Sequence, residues 1–108
     1  MELSAEDAKL VTLARATRGR TGAAEGAAVR DTDGRTYAAA SVDLPSLQLS
    51  ALQACVAMAI AGGSSGLAAA VVLGEAAELS GPDEAVLRDY AGDGVVVHLA
   101  DLQGRVAE

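Results

Sequence analysis

A chain of 108 residues has the length of one small domain, because single hydrophobic cores most often belong to domains of about 100–150 residues. Its 51% apolar and 21% charged residues are typical of a folded globular protein and exclude a disordered chain. The formal net charge of −7 would repel phosphate backbones, which weighs against nucleic-acid binding.

The N-terminal segment MELSAEDAKL is acidic where a signal peptide is basic, and no apolar run reaches the roughly 18 residues of a membrane span. Cys55 is the only cysteine, so no internal disulfide bond can form and a reducing compartment is allowed. We therefore expect a cytoplasmic protein that does not bind membranes, with residues 1–108 forming a single domain.

The first two predicted elements are a helix and a hairpin. Ser4 and Asp7 have the spacing of a capping box, and apolar residues follow at helical spacing, so a helix is predicted from about Ala5 to Arg18. Two extended segments then flank Asp33-Gly34, a pair that favours a tight turn because glycine accepts a positive φ. The sequence therefore predicts an antiparallel pair of strands.

A second helix is predicted to begin at Pro45 and Ser46 and to end at Gly62-Gly63. Apolar residues recur in it every three or four positions, as expected of one buried face. This predicted face consists of Leu49, Leu52, Val56 and Ile60.

Two short apolar runs rich in β-branched residues, LAAAVVLG and GVVVHLA, are typical of buried strands, and a helix from Gly81 to Ala91 is predicted between them. Strands joined through a helix are expected to be parallel neighbours. The element order therefore predicts an α/β fold, in which helices pack on the faces of a mixed sheet.

Four residues of types that often carry chemistry have simpler explanations here. No His, Cys or acidic residue lies within helical reach of Cys55, so a buried small hydrophobe is favoured. His98, the only histidine, is interpreted as a packed or hydrogen-bonded strand residue. Ser80 and Asp83 have the spacing of a helix N-cap and its first turn, which explains both without a catalytic role.

Three segments resemble the small, homotetrameric-type cytidine deaminases. The stretch GAAVRDTDG is similar to that family's Val-Gly-Ala-Ala strand and turn, and residues 33–63 are similar to the segment that runs through an Asn-x-Glu substrate motif into a helix bearing Cys-Ala-Glu. Residues 79–104 are similar to its Pro-Cys-x-x-Cys helix start, the next strand and a Leu-Gln-Gly turn. The resemblance covers most of residues 22–104 and implies a three-layer α-β-α cytidine deaminase-like fold.

In that family a zinc ion held by three cysteines activates a water molecule, and a glutamate that is not a ligand moves the protons. The resemblance places Leu52 at the first cysteine, Ala54 at the glutamate, and Ser80 and Asp83 at the other two cysteines. None of these side chains is the thiolate that a closed zinc site prefers, and shifting the alignment by one residue supplies no ligand either. The resemblance therefore implies degenerate ligand positions, no catalytic residue and no cofactor.

The substrate positions of the family are altered as well. The Asn and Glu that hold the ribose fall on Ser41 and Asp43, which we interpret as vestigial substrate-binding positions, and the family's phenylalanine falls on Ala23. The chain stops at Glu108, where the family continues into further elements, so a C-terminally short domain with a more open pocket is expected.

Our leading hypothesis is a cytidine deaminase-like pseudoenzyme that has lost its zinc site and catalytic glutamate and acts as a homo-oligomer or by binding a protein partner. One alternative is a zinc-dependent nucleoside deaminase with atypical ligands, such as Asp83 and His98 with a third residue. Another is a nucleoside-binding module without turnover, for which Asp43 is the residue to test.

Overall fold

The computed structural model describes residues 3–92 and 94–107. The strands in it are β1 (Gly26–Asp31), β2 (Thr36–Ala40), β3 (Val42–Leu44), β4 (Leu47–Leu49), β5 (Leu67–Leu73) and β6 (Val96–Ala100), and the helices are α1 (Ala5–Thr21), α2 (Ala51–Ala61) and α3 (Gly81–Tyr90). The central sheet has the strand order β2-β1-β5-β6, and β3 and β4 form a separate two-stranded hairpin.

The central sheet is mixed, as the sequence predicts. Strand β1 pairs antiparallel with both β2 and β5, whereas β5 and β6 are parallel. The predicted turn at Asp33-Gly34 joins β1 to β2, and Gly34 has a φ of 90°, a conformation that glycine adopts without strain. Both strand predictions are therefore confirmed.

Helices cover both faces of the sheet, because alternate residues of a strand point to opposite sides. Ala28 and Val71 face α1 and share a core with Leu10 and Ala14, whereas Ala27 and its neighbours on the other side pack against α2 and α3. The domain thus has the expected three layers, α-β-α. Within the described residues, no helix is long and apolar enough to span a bilayer.

Helix α1 approaches β1 so closely that a side chain at Gly26 has no room. A Cβ placed on Gly26 would lie 2.5 Å from the carbonyl oxygen of Ala14 and 2.7 Å from the Cβ of Arg18. The absence of a side chain at this position is what allows the small, alanine-rich core to close.

The predicted start of the second helix is wrong. Pro45 and Ser46 form the turn between β3 and β4, and α2 begins only at Ala51, after the N-cap Ser50. A residue before proline is biased toward extended backbone, which suits Leu44 at the end of a strand. The hairpin takes the residues that the sequence pattern assigned to the first turn of the helix.

The later start also changes the buried face of α2. Leu49 belongs to β4, and Ile60 is 52% exposed, so neither contributes to the helix face that was predicted. The buried residues of α2 follow one helical stripe from Leu52 onward. They are Ala51, Leu52, Cys55, Val56 and Ala59.

Candidate functional site

Leu52, the first degenerate ligand position, lies in the first turn of α2 and is fully buried. Its side chain belongs to the apolar core between the sheet and the pair α2 and α3, together with Val56 and Leu87. An aliphatic side chain has no lone pair for a metal ion, and Ala54, two residues further on, has no proton to transfer. This edge of α2 is built as hydrophobic core.

The other two positions lie at the start of α3. Ser80 is the N-cap, and its hydroxyl oxygen accepts a hydrogen bond from the amide of Asp83 at 3.2 Å. Ser80 is exposed, whereas Asp83 is only 2% exposed. The predicted helix cap is therefore confirmed, and Asp83 is in addition a buried carboxylate that needs a hydrogen-bond donor.

Ser50 supplies that donor from the other helix. Its hydroxyl group donates to Oδ1 of Asp83 at 2.5 Å and accepts from the amide of Gln53 at 3.0 Å. The Gln53 side chain in turn accepts from the Ser50 amide at 2.9 Å, which completes a capping box on α2. Ser50 thus caps one helix and contacts the first turn of the other.

Two further residues extend these contacts to the sheet. The amide of Ala51 donates to Oε1 of Glu25 at 3.4 Å, and the amide of Glu25 donates to the hydroxyl oxygen of Ser41 at 3.2 Å. The Ser41 amide donates to the Glu25 carbonyl oxygen at 3.1 Å. We call this set of hydrogen-bonded residues the helix-start network: Glu25, Ser41, Ser50, Ser80 and Asp83.

The sequence analysis did not identify Glu25 or Ser50. The signal for Ser50 was its capping-box spacing to Gln53, which was hidden by the assignment of the helix start to Pro45 and Ser46. The signal for Glu25 was its departure from the valine of the Val-Gly-Ala-Ala pattern. A charged residue directly before a buried strand requires a polar partner, and the start of α2 provides one.

The two vestigial substrate positions are not equivalent. Ser41 belongs to the helix-start network, where its hydroxyl group is occupied by the Glu25 backbone. Asp43 lies in β3, opposite Gln48, and is exposed. The structure therefore makes one of these residues part of the fold and leaves the other on the hairpin surface.

A cavity of about 130 Å³ lies beside the start of α3. Neither Ser41 nor Asp43 lines it. Its polar lining consists of Glu25, Glu78, Ser80 and Asp83, and its apolar lining includes Val72 and Leu99.

The residues at the degenerate positions do not fit a zinc ion. Leu52 has no donor atom, the Ser80 hydroxyl oxygen is engaged by the helix amide, and Asp83 offers a single hard carboxylate that already binds Ser50. Among residues 3–92 and 94–107, no group of three His, Cys, Asp or Glu side chains is arranged to hold a metal ion. The donor set is that of a hydrogen-bond network.

Cys55 and His98 make no hydrogen bond to the helix-start network among the described residues. Burial raises the pKa of the Cys55 thiol to about 12, so the thiol is protonated at neutral pH, as expected of a small buried hydrophobe. His98 Nε2 lies 2.9 Å from Oδ2 of Asp7, and Arg30 donates to Oδ1 of the same carboxylate at 3.0 Å. The prediction of a hydrogen-bonded strand histidine is confirmed.

The contacts of His98 place it on the face of the sheet covered by α1, since it pairs in register with Val71 and binds Asp7 of α1. Asp83 lies on the opposite face, at the start of α3. The two residues considered together as atypical zinc ligands are therefore separated by the sheet.

Comparison with known proteins gives a consistent result. The family model described as "Cytidine deaminase-like" matches residues 3–104 of the chain. Comparison with curated protein sequences gave no match.

Solved structures of cytidine deaminases have the same fold. The protein from Burkholderia pseudomallei is 24% identical, with a TM-score of 0.78 over 97% of this chain and 91% of that chain. The protein from Mycobacterium tuberculosis is 23% identical, with a TM-score of 0.70 over 97% and 91% of the two chains. The protein from Mycobacterium leprae is 21% identical, with a TM-score of 0.69 over 97% and 93%. The family and fold expected from the sequence are confirmed.

Proposed function

Because the chain belongs to the cytidine deaminase-like family, we propose that it is a non-catalytic member that acts by assembling with further copies of itself or by binding a protein partner. The observation that carries this proposal is the position of Leu52, whose aliphatic side chain is fully buried where the family's first ligand falls. Ala54 stands where the family's proton-transferring glutamate falls. Without a ligand and a general base on α2, neither half of the deamination chemistry has a residue to perform it.

The surface composition supports the proposed assembly with further copies or binding of a protein partner. Helix α2 contains no charged residue, although several of its side chains face outward. An apolar surface on a small domain is commonly covered by another protein surface, and self-association adds buried area to a core built from small residues. Among the residues that the structure describes, the large exposed hydrophobic ones are Leu44, Leu47, Met58, Ile60 and Val96.

The alternative of a deaminase with atypical ligands has less support. Asp83 and His98 lie on opposite faces of the sheet, so a metal ion cannot bind both. The alternative of a nucleoside-binding module is also less favoured. The cavity beside the start of α3 has about 130 Å³, less than the roughly 300–1,000 Å³ of typical ligand sites. A larger cavity of about 540 Å³ is lined by neither Ser41 nor Asp43.

One set of measurements on the purified protein tests the proposal. Elemental analysis should find zinc far below one equivalent per chain, and cytidine and deoxycytidine should not be converted at micromolar enzyme. Native mass spectrometry should give a multiple of the chain mass, or the mass of a complex with a protein partner. An active cytidine deaminase in the same assays is the positive control.

Two results would refute the proposal. One zinc per chain together with nucleoside turnover would refute the non-catalytic proposal. A monomer by light scattering at micromolar concentration, with no protein partner retained, would refute the mode of action.

A further inference from the structure

The starts of α2 and α3 are joined by a direct side-chain contact. Ser50, the N-cap of α2, donates its hydroxyl hydrogen to the Asp83 carboxylate in the first turn of α3. The two residues are 33 positions apart in the chain, so the contact closes a long loop that contains β5. The two helices also meet in the apolar core, where Leu52 and Val56 of α2 share a cluster with Leu87 of α3, and the Ser50–Asp83 bond adds a polar contact at their starts.

In a zinc-containing relative, as the resemblance implies, ligands from both helix starts would meet on one ion and thereby tie the helices together. The residues at these positions do not fit such an ion here, yet the helix starts remain adjacent. We infer that the helix-start network replaces the metal ion as the tie between α2 and α3, with Ser50 and Asp83 as its central pair. This inference rests on the proposed absence of zinc chemistry at these positions.

The energetics follow from burial. Asp83 is 2% exposed, and a buried carboxylate without a donor pays the full cost of desolvation. The Ser50 hydroxyl group removes that cost, and Glu25 provides a second carboxylate at the positive end of α2 through the Ala51 amide. Loss of the Ser50 hydroxyl group should therefore lower the free energy of unfolding more than loss of an N-cap alone.

Ser80 provides a matched control, because it is the N-cap of α3 and accepts from Asp83 in the same way that Ser50 accepts from Gln53. Ser80 is exposed and makes no contact with α2 among the described hydrogen bonds. Ser80→Ala thus removes a cap alone, whereas Ser50→Ala removes a cap and the tie.

The test is a double-mutant cycle on the equilibrium constant for unfolding in urea, with Ser50→Ala, Asp83→Ala and the double variant. We expect Ser50→Ala to raise this constant about 10- to 100-fold more than Ser80→Ala does, because a hydrogen bond to a buried charge is lost. The coupling between the two positions should be about tenfold or more. Ser50→Thr and Asp83→Asn, which keep a donor and an acceptor, should each retain most of the stability.

A second measurement tests whether the tie works without metal. Dialysis against a chelator and addition of zinc should each leave the urea midpoint of the wild-type protein unchanged. A coupling factor near one, equal effects of Ser50→Ala and Ser80→Ala, or a lower midpoint after chelation would each overturn the inference. Nucleoside turnover with bound zinc would instead refute the proposed function. The coupling factor between Ser50 and Asp83 is measured independently of turnover, so failure of the proposed function and failure of the tie can be told apart.

Discussion

The two faces of the central sheet hold their helices by different kinds of polar contact. On the α1 face, Asp7 lies between two basic side chains, Arg30 and His98, at 3.0 and 2.9 Å. On the α2 and α3 face, Asp83 binds the hydroxyl group of Ser50 at 2.5 Å. One buried carboxylate is therefore paired with basic groups and the other with a neutral donor.

The difference separates a contact within the fold from the place where, under the proposed function, family chemistry is absent. The Asp7 cluster joins three elements of the fold, α1, β1 and β6, and none of its residues falls on a motif position of the family. The Asp83 contact lies at the helix start where the resemblance places two of the family's cysteines, and its partner is the N-cap of the helix on which the resemblance places the third. The Ser50 hydroxyl group donates to the Asp83 carboxylate without adding a second charge at this position.

The largest expected effect comes from introducing thiolates at the positions where the resemblance places the family's ligands. The triple variant Leu52→Cys, Ser80→Cys and Asp83→Cys should bind one zinc ion per chain, because the two helix starts are already adjacent. At a free zinc concentration of 1,000 times Kd, binding should stabilise the variant by about 4 kcal/mol. Thermal unfolding with and without zinc measures this gain.

Two controls sharpen that experiment. The wild-type protein should gain nothing from zinc, and a variant with only the two α3 cysteines should bind zinc at least tenfold more weakly, since it offers fewer thiolates. A triple variant that folds but takes up no zinc would show that the three positions do not converge.

The α1 face is expected to respond strongly to loss of its carboxylate. Asp7→Ala leaves Arg30 and His98 largely buried without an acceptor, and we expect the free energy of unfolding to fall by about 2–3 kcal/mol. Urea denaturation measures the change. A loss below about 0.5 kcal/mol, the usual range of surface substitutions, would contradict a structural role for the cluster.

The sequence predicted most helices and strands because their signals are local. Asp33-Gly34 favours its turn, and Gly63, with a φ of 92°, follows the C-cap of α2; both signals depend on one or two residues. The start of α2 could not be chosen in this way, because Ser46 and Ser50 are both residues that favour a helix N-cap. The pairing of β3 with β4 decides between them, and that pairing is a tertiary contact.

The polar contacts of the candidate site were out of reach for a related reason. Asp7 and His98 are 91 positions apart, and Ser50 and Asp83 are 33 apart. Spacing rules describe neighbours within one helix or strand, so they place Asp7 and Asp83 in helix first turns but cannot supply their partners. The resemblance located Ser80 and Asp83, and only the fold shows that Ser50 and Glu25 complete their surroundings.

Acid pH should lower the stability contributed by Asp7 on the α1 face, an effect smaller than that of removing its side chain. Burial raises the pKa of Asp7, but the hydrogen bonds and charges of His98 and Arg30 outweigh burial and hold it below the usual 3.8. A carboxyl group with a lowered pKa contributes stability above its unfolded pKa and loses it as the pH falls through the folded pKa. The wild-type protein should therefore lose more stability than Asp7→Asn as the pH falls from about 5 toward 2. Urea denaturation at each pH measures the stability of both proteins. An equal loss of stability in the two proteins would contradict the role assigned to Asp7.

The smallest effect is expected at Asp43, which belongs to neither polar cluster. It is exposed on the β3–β4 hairpin, so Asp43→Ala should change the free energy of unfolding by less than about 0.5 kcal/mol. Because the cavity beside α3 is not lined by Asp43, calorimetry with cytidine or uridine should give no binding heat in either the wild-type protein or the variant. Binding that Asp43→Ala abolishes would instead favour a nucleoside-binding module, in which the hairpin folds over a ligand. A hairpin with exposed Leu44 and Leu47 at its turn is better suited to contact another protein surface, and its carboxylate is then only a solvated neighbour of that contact.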